Sequence, residues 1–378
     1  MQFNFDQEHE TLAHRIRGQE AEIPPVVAMF SEYPIETNKH YSLLVKEIDT
    51  WIASAIRDTA LSDKYIKADF GKLIACQFPY AKWEKLRVIG AFITWGYLWD
   101  DQMDMGRGKT SGEKSSKVFV LDSLRFIQQS LDVSKQYISD GAITTPPTPL
   151  MAIFEVYGQG LRMSLTQEDR DCTYVYLNRW IMAVYEEDCQ RSLAHMPTPE
   201  EYLKIRVRAF GFRLYVIFFE YCLTFRLKIV LIDSCPRYMN QITFSKAFKA
   251  TTEGMQIQEE CGLILIYIND LFSCKKEVLR GDFHENIIPL IVHSSPSFQL
   301  QDGIDTVLTR LGDSLKKIEL MVGYYNSSTA NKEIRDDVLL YIKEWRTVAT
   351  GWLTWSMGSS RFGLLEGTLP DSSVIFTI

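Results

Sequence analysis

Three polar side chains recur at four-residue steps in the second half of the chain. Asn269, Ser273 and Glu277 occur in the segment NDLFSCKKE, each four positions after the last. In an α-helix this spacing places them in one stripe, and their amide, hydroxyl and carboxylate oxygens are hard donors suited to Mg²⁺. The stripe continues the apolar run CGLILIYI, where buried polarity is costly without a ligand or a metal. Ordinary polarity of an exposed helix surface is the simpler alternative.

An acidic cluster, DDQMD at residues 100–104, follows the apolar and aromatic run LRVIGAFITWGYLW. Asp100 and Asp104 differ by about 40° in helical direction, so both carboxylates can face one point while Asp101 lies to the side. Like charges on one face repel, and a hard divalent cation such as Mg²⁺ would compensate them. A solvated acidic helix end explains the cluster equally well, and only the apolar run before it favours a metal. Two facing helices, one with the acidic cluster and one with the stripe, would bind divalent cations between them. The cations would in turn bind the negatively charged oxygens of a diphosphate.

Bulk composition limits the function classes that remain. The chain has 378 residues, 46% of them hydrophobic and 24% charged, which is an ordinary globular balance. The net charge of −7 argues against nucleic-acid binding. Seven scattered cysteines without a CxxC pair indicate free thiols in a reducing compartment. The start has no signal-peptide pattern, and Arg213 and Glu220 interrupt the longest apolar stretch, so a soluble, cytoplasmic protein that does not span a membrane is expected.

The elements that must position these residues are helical. Apolar residues recur at three- and four-residue steps over residues 40–62, 82–99, 117–131, 151–165, 173–195, 200–223, 248–279, 303–326 and 332–357. Prolines concentrate between these runs, and no strand-like alternation is evident. The pattern predicts an all-α fold, with residues 1–378 forming one domain around a shared interior. Residues 1–35 and 366–378 are expected to be peripheral.

Two loops interrupt the helical pattern. Residues 105–116 are rich in Gly, Ser and Lys and follow the acidic cluster directly. A mobile surface loop and a lid near the site are equally good interpretations of that segment. Residues 229–243 are expected to form an extended connection between helices.

The two motifs resemble those of class I terpene synthases. The acidic cluster resembles the DDxxD motif of that family, and residues 269–277 match its NDxxSxxKE motif at every defined position. Further similarities extend over most of the chain: Phe78-Pro79, the segment PEEYL at residues 199–203 leading into Arg206 and Gly211, and Trp355 followed by Arg361. The short single domain is most similar to fungal and bacterial sesquiterpene cyclases.

The resemblance implies a fold, an activity and a metal. The fold would be a single all-α class I terpenoid synthase bundle around a central active-site cavity. The activity would be ionisation of an isoprenyl diphosphate, with farnesyl diphosphate favoured, and cyclisation to a sesquiterpene hydrocarbon or alcohol with release of diphosphate. Three Mg²⁺ ions would take part. The enzyme would act as a monomer or a homodimer.

The resemblance also implies roles for individual residues. Asp100 and Asp104 would bind Mg²⁺ from one side, and Asn269, Ser273 and Glu277 from the other. The catalytic residues would be Asp100 together with Asn269, Ser273 and Glu277.

The basic residues would bind the diphosphate, and here the sequence departs from the family pattern twice. Lys276 and Arg361 are expected to hydrogen-bond the diphosphate. The family's terminal Arg-Tyr motif reads Arg361-Phe362, so the phenolic hydroxyl is missing. The diphosphate-sensing arginine usually follows an arginine pair, whereas this chain has Arg206-Val207-Arg208. Arg206 is the favoured sensor and Arg208 the second choice, and ordinary helix-face charges are the alternative for both.

Two other functions compete with a cyclase. A chain-elongating prenyltransferase of the same fold would carry a second aspartate-rich motif at residues 269–277, and none is present. A non-catalytic helical diphosphate-binding protein would have decayed motifs. Phe362 favours that alternative, whereas the intact stripe of Asn269, Ser273 and Glu277 opposes it.

Overall fold

The computed structural model describes residues 3–105, 116–137, 148–190, 195–219, 221, 252–327 and 332–378. These ranges are almost entirely helical, which confirms the all-α class. They divide into two compact units, the first with Met1–Glu36, Leu193–Val207 and Phe219–Ile378, the second with Thr37–Ser192 and Arg208–Phe218. The predictions for most of residues 105–116 and for residues 229–243 fall outside the described residues. That residues 1–378 form one domain stays a prediction.

Helices and one small ribbon build the first unit. Its elements are α1 (Phe3–Ile16), β1 (Glu20–Ile23), α9 (Pro199–Ala209) as far as Val207, α10 (Thr252–Arg280), α11 (Ile287–Ser294), α12 (Leu300–Ser327), α13 (Lys332–Gly358) and β2 (Val374–Thr377). Helices α10, α12 and α13 pack against one another, and α11 packs on α12. Gly303 permits the approach of α11, since a Cβ there would lie 3.0 Å from the carbonyl oxygen of Ile288.

Two short segments, β1 and β2, form the one β-sheet of the described residues, which sequence periodicity did not predict. Strands β1 and β2 pair antiparallel, with Glu20 opposite Thr377 and Ile23 opposite Val374. Four-residue strands at opposite ends of the chain carry too little alternation to be recognised separately. Next to this ribbon, the Arg15 guanidinium donates hydrogen bonds at 2.8–2.9 Å to the carbonyl oxygens of Val292, in the last turn of α11, and of Ser295 and Phe298, just after it.

The second unit consists of α2 (Tyr41–Ala55), α3 (Thr59–Lys67), α4 (Phe70–Gln77), α5 (Trp83–Met105), α6 (Ser116–Leu131), α7 (Pro149–Ser164) and α8 (Gln167–Gln190). The single helix predicted over residues 40–62 is wrong. Helix α2 ends at Ala55, and Asp58 begins α3 by accepting the Leu61 N–H at 2.9 Å. An Asp cap competes with continuation of a helix.

Small residues bring α7 close to its neighbours. A Cβ at Gly158 would lie 2.0 Å from the Ser130 hydroxyl of α6, and one at Gly160 would lie 2.4 Å from Val88 of α5. Both positions therefore require glycine because the neighbouring helix occupies the space of a side chain.

The helix predicted over residues 200–223 is also interrupted. Helix α9 ends at Ala209, Gly211 adopts a φ of +78°, and helix resumes over residues 213–219. The Trp180 indole N–H donates to the Ala209 carbonyl at 2.8 Å, so a carbonyl at the helix end is satisfied by a side chain of α8. The break depends on this tertiary contact, which periodicity does not reveal. None of the described helices is long and apolar enough to cross a membrane.

Candidate metal centre and diphosphate site

The predicted stripe lies on α10 in the first unit. Ser273 is fully buried, Glu277 is 4% exposed, and Asn269 is half-buried. The Ser273 hydroxyl donates to Glu277 Oε2 at 2.6 Å. The preceding residues Ile264 to Ile268 are buried as expected. The stripe is therefore not the exposed helix polarity of the simpler alternative, because its hydroxyl and carboxylate meet inside the unit.

Asp270, next to Asn269, is a fully buried carboxylate to which the sequence assigned no role. Its Oδ2 accepts the Tyr202 hydroxyl of α9 at 2.8 Å and the Ile287 N–H of α11 at 3.1 Å. Burial raises the pKa of Asp270 to about 7, opposed by the positive charge of Arg206 and reinforced by Glu277. Asp270 thus connects α9 and α11 to the helix that carries the stripe.

Asn286 precedes α11 and is the second residue that sequence reasoning missed. Its side chain is fully buried, and its amide nitrogen lies 2.9 Å from Glu277 Oε2 and 3.2 Å from the Ser273 hydroxyl. An Asn directly before the apolar run IIPLIV is a recognisable helix-cap signal. That signal locates the start of α11 but does not reveal which residues of α10 the amide contacts.

Positive charge lies near the buried carboxylates. Lys276 Nζ is 3.4 Å from Glu277 Oε1. Arg206, on α9, is close enough to Asp270 for its charge to lower the pKa of that carboxyl. Arg208 belongs to the second unit, where it forms a bidentate ion pair with Glu186 near the surface, with N–O distances of 2.8 and 2.9 Å. The two arginines of the split pair therefore have different electrostatic environments.

Arg361 lies in a short 3₁₀ turn, Ser360–Phe362, that contacts α10. Ser359 caps the turn by accepting the Arg361 N–H at 3.2 Å, and Lys275 of α10 donates to the Gly363 carbonyl at 3.3 Å. Phe362 is 2% exposed, and its ring packs edge-on against Trp355 with centroids 5.4 Å apart. The aromatic of this motif is therefore a core side chain here.

Asp100 lies on α5 in the second unit and is half-buried. The helix before it is buried as expected, since Trp95 and Trp99 are fully inaccessible to solvent. Asp104 belongs to the last turn of α5, and its side chain lies outside the described part.

Aromatic rings surround the length of α5 that leads to Asp100. Trp180 of α8 lies 5.9 Å from Trp95 and 5.5 Å from Trp99 between ring centroids, and Phe154 of α7 lies 4.7 Å from Trp95. The cluster provides an apolar environment, and ring faces can stabilise positive charge.

The donor set on α10 fits a hard divalent cation. Glu277 and Ser273 offer carboxylate and hydroxyl oxygens within 2.6 Å of each other, and Asn269 precedes them by one turn on the same stripe. Among the described residues, no three His, Cys, Asp or Glu side chains cluster as metal ligands. The stripe has only one carboxylate, which is why its metal-binding capacity rests on the amide and hydroxyl oxygens.

The family model described as "Terpene synthase family 2, C-terminal metal binding" matches residues 91–317. The match covers more than half of the chain and includes both the acidic cluster and the stripe. The chain belongs to this family and is a terpene synthase, an enzyme of the lyase class.

Individual relatives agree with the family assignment. The chain is 24% identical to germacrene A synthase of Nostoc punctiforme, over 89% of this chain and 95% of that one. It is 26% identical to (3S,6E)-nerolidol synthase of Selaginella moellendorffii, over 87% and 81%. Its fold resembles the crystal structure of linalool/nerolidol synthase from Streptomyces clavuligerus, with a TM-score of 0.63, 14% identity and coverage of 86% of this chain and 98% of that one.

Proposed function

We propose that this terpene synthase uses Mg²⁺ to ionise an isoprenyl diphosphate, with farnesyl diphosphate favoured, and cyclises the carbocation to a sesquiterpene hydrocarbon or alcohol. The observation that carries the proposal is the buried pair of Ser273 and Glu277, 2.6 Å apart on the stripe that begins with Asn269. Burying these oxygens together is favourable when they share a cation.

The stripe would hold the metal from one side. Asn269, Ser273 and Glu277 would supply oxygen ligands, and Asp100 with Asp104 would supply carboxylates from the first motif, for three ions in total. When bound, Mg²⁺ neutralises the charge of the diphosphate leaving group. Ser273 would keep its hydrogen bond to Glu277 while its oxygen binds the metal.

The basic residues would orient the diphosphate. Lys276 is beside Glu277, and Arg206 is close to Asp270, so both positive charges lie near the stripe of α10. Arg361 is in a turn attached to the same helix. Guanidinium groups suit this task because their planar donors match phosphate oxygens. Arg208 is the weaker choice because Glu186 already engages its guanidinium.

The relatives indicate the length of the substrate, and the aromatic cluster indicates how the carbocation would be protected. The relatives above are named for germacrene A and nerolidol, both sesquiterpenes, which supports a C15 substrate. The aromatic cluster around Trp95 would exclude water from the carbocation. The enzyme would work in the cytoplasm as a monomer or homodimer without nucleic acid, consistent with a net charge of −7. The cysteines of the described part are free thiols.

Incubation of the purified protein with Mg²⁺ and with C10, C15 or C20 diphosphates tests the proposal by gas chromatography. Cyclic sesquiterpenes from farnesyl diphosphate are expected, and Glu277→Ala and Asn269→Ala should each abolish turnover with unchanged helical content. Glu259→Ala is the matched control, because Glu259 is an exposed carboxylate on the same helix. Near-normal turnover in Glu277→Ala would contradict the metal assignment. A longer diphosphate formed from farnesyl and isopentenyl diphosphates would contradict a cyclase.

A further inference from the structure

The Asn286 amide contacts three groups of α10 at once. Its nitrogen lies 2.7 Å from the Asp270 carbonyl oxygen, 2.9 Å from Glu277 Oε2 and 3.2 Å from the Ser273 hydroxyl. The side chain has no solvent exposure. A buried amide with this many partners is costly to replace, because each lost donor removes a hydrogen bond from a buried oxygen that water cannot reach.

The orientation of the Asn286 amide is fixed by the start of α11. Its Oδ1 accepts the Ile288 N–H at 2.9 Å, as a helix cap does. The nitrogen must therefore point towards α10. A second hydrogen bond in the same direction holds this junction, because Asp270 Oδ2 of α10 accepts the Ile287 N–H at 3.1 Å. The start of α11 is thus held against α10 by two donors, the Ile287 N–H on Asp270 and the Asn286 amide, and only the amide contacts Ser273 and Glu277 of the stripe.

The two oxygens of Glu277 consequently have different environments. Oε2 accepts from the Ser273 hydroxyl at 2.6 Å and from Asn286 at 2.9 Å. Oε1 lies 3.4 Å from Lys276 Nζ. Two short hydrogen bonds occupy the lone pairs of Oε2, whereas the contact of Oε1 with Lys276 is longer and leaves a lone pair of that oxygen for a cation.

We propose that Asn286 is a positioning residue that holds Glu277 by Oε2 and so presents Oε1 to the catalytic cation as a single-oxygen ligand. The arrangement also lets the Ser273 oxygen bind the cation while the Ser273 hydroxyl still donates its hydrogen bond to Glu277. The inference rests on the proposed function, since it concerns the same metal site. Partners of this kind that orient a metal ligand contribute about 10- to 100-fold to metal affinity.

Asn286→Asp separates positioning from helix capping. Aspartate keeps an oxygen for the Ile288 N–H but replaces the amide donor with a second carboxylate oxygen facing Glu277. Far-UV circular dichroism should stay native and unfolding should stay cooperative at a lower free energy of unfolding, whereas the Mg²⁺ concentration for half-maximal turnover of farnesyl diphosphate should rise about tenfold or more. The increase in melting temperature on adding MgCl₂ with sodium diphosphate should shrink in parallel, which gives a readout independent of turnover.

Asn38→Asp is the matched control. Asn38 is 2% exposed, donates to the carbonyl oxygens of Phe78 and Ala81 at 2.7 and 2.8 Å, and accepts the His40 N–H. It is an equally buried asparagine whose amide donates only to backbone. Its variant should lose stability without changing the Mg²⁺ requirement.

The outcomes distinguish the inference from the proposed function. A folded Asn286→Asp protein with native turnover and a Mg²⁺ requirement within about twofold of native overturns the positioning role alone. A native protein that shows neither Mg²⁺-dependent turnover nor stabilisation by MgCl₂ with diphosphate overturns both. If Asn286→Asp fails to fold, Asn286→Ser, which keeps one hydroxyl, carries the test by the same two readouts. A native Mg²⁺ requirement in that variant overturns the role.

Discussion

The Tyr202 hydroxyl lies 2.8 Å from Oδ2 of Asp270, and both side chains are buried in the first unit. The same hydroxyl is 3.1 Å from the Glu285 carbonyl, just before α11. Three segments therefore meet at one carboxylate: α9 through Tyr202, α11 through Ile287, and α10 itself. Asp270 stabilises the arrangement of the helices that carry Arg206 and the stripe.

Removing the Tyr202 hydroxyl tests this junction. Tyr202→Phe should lower the free energy of unfolding by about 1–3 kcal/mol, because a buried acceptor loses its donor. It should also raise the pKa of Asp270 further, since that hydrogen bond lowers it. Urea unfolding measures the first effect. Tyr324→Phe is the control, because Tyr324 is 65% exposed. Equal stability of the two variants would contradict a structural role for the hydroxyl.

Phe362→Tyr tests the departure at the C-terminal motif. The added hydroxyl would enter a core in which the ring packs on Trp355, so the free energy of unfolding should fall by about 1–3 kcal/mol. The value of kcat/KM should not rise. Denaturant unfolding and steady-state kinetics check both statements. Phe119→Tyr is the control, because Phe119 is only half-buried. A gain in kcat/KM would mean that the hydroxyl reaches a polar partner at the site.

The sequence predicted those features that depend on local spacing. Four-residue steps placed Asn269, Ser273 and Glu277 on one helix, and the structure has them on α10 with the last two buried. The apolar runs likewise located α5, α12 and α13 to within a few residues at most boundaries. Local periodicity is sufficient for α12, which buries one stripe, whereas α5 and α13 are recognised by long apolar runs, because residues 88–95 and 347–353 are buried on all sides.

The features that the sequence did not reveal depend on contacts between distant segments. The helix break at Gly211 is stabilised by Trp180 of α8, and the ribbon joins the two ends of the chain. Asp270 and Asn286 form their junction across a sixteen-residue separation. Neither residue type shows by itself whether it will meet a metal ligand, a helix end or water. Tertiary packing decides that, and a single sequence does not record it.

Asp171 provides a pH-dependent contribution to stability in the second unit. Burial raises its pKa, but hydrogen bonds from the Ser134 side chain and backbone and from Gln167 bring that pKa below the ordinary value of 3.8. A carboxyl group with a lowered pKa stabilises the folded state at pH values above its pKa in the unfolded chain. This stabilisation is lost as the pH falls through the pKa of the group in the folded protein. The stability advantage over Asp171→Asn should be constant from about pH 5 to 8 and shrink below about pH 4.

Urea unfolding across the acid range checks this prediction. Ser134→Ala removes the side-chain donor and should bring the pKa of Asp171 back towards its usual value, so the acid-dependent loss relative to Asp171→Asn should be smaller. A difference between the native protein and Asp171→Asn that does not change with pH would show that these hydrogen bonds contribute nothing to the charged form.

Gly158→Ala tests the crossing of α6 and α7. A methyl group there would lie 2.0 Å from the Ser130 hydroxyl and 2.7 Å from its carbonyl oxygen, so the helices must separate. The free energy of unfolding should fall by about 3 kcal/mol. Gly323→Ala is the control, since a Cβ there meets nothing within 4 Å, and it should gain up to about 1 kcal/mol of helix propensity. Thermal unfolding of both variants measures the contrast, and equal melting temperatures would exclude the close crossing.

The split arginine pair gives a direct comparison of two neighbouring side chains. Arg206→Gln should lower kcat/KM for farnesyl diphosphate and weaken inhibition by inorganic diphosphate by about 10- to 100-fold, the effect of losing hydrogen bonds to a charged group. Arg208→Gln should change either value by less than about threefold, because Glu186 already binds that guanidinium at 2.8 and 2.9 Å.

The free energy of unfolding of both arginine variants must be measured together with their kinetics, since Arg206 also lowers the pKa of buried Asp270. Its variant should therefore unfold more easily at neutral pH, whereas Arg208→Gln loses an exposed ion pair with Glu186, which contributes little to stability. Kinetics at a temperature where both variants are fully folded separate substrate binding from folding. A large loss confined to Arg208→Gln would transfer the diphosphate-binding role to that residue, because the charge near Asp270 would then serve stability alone.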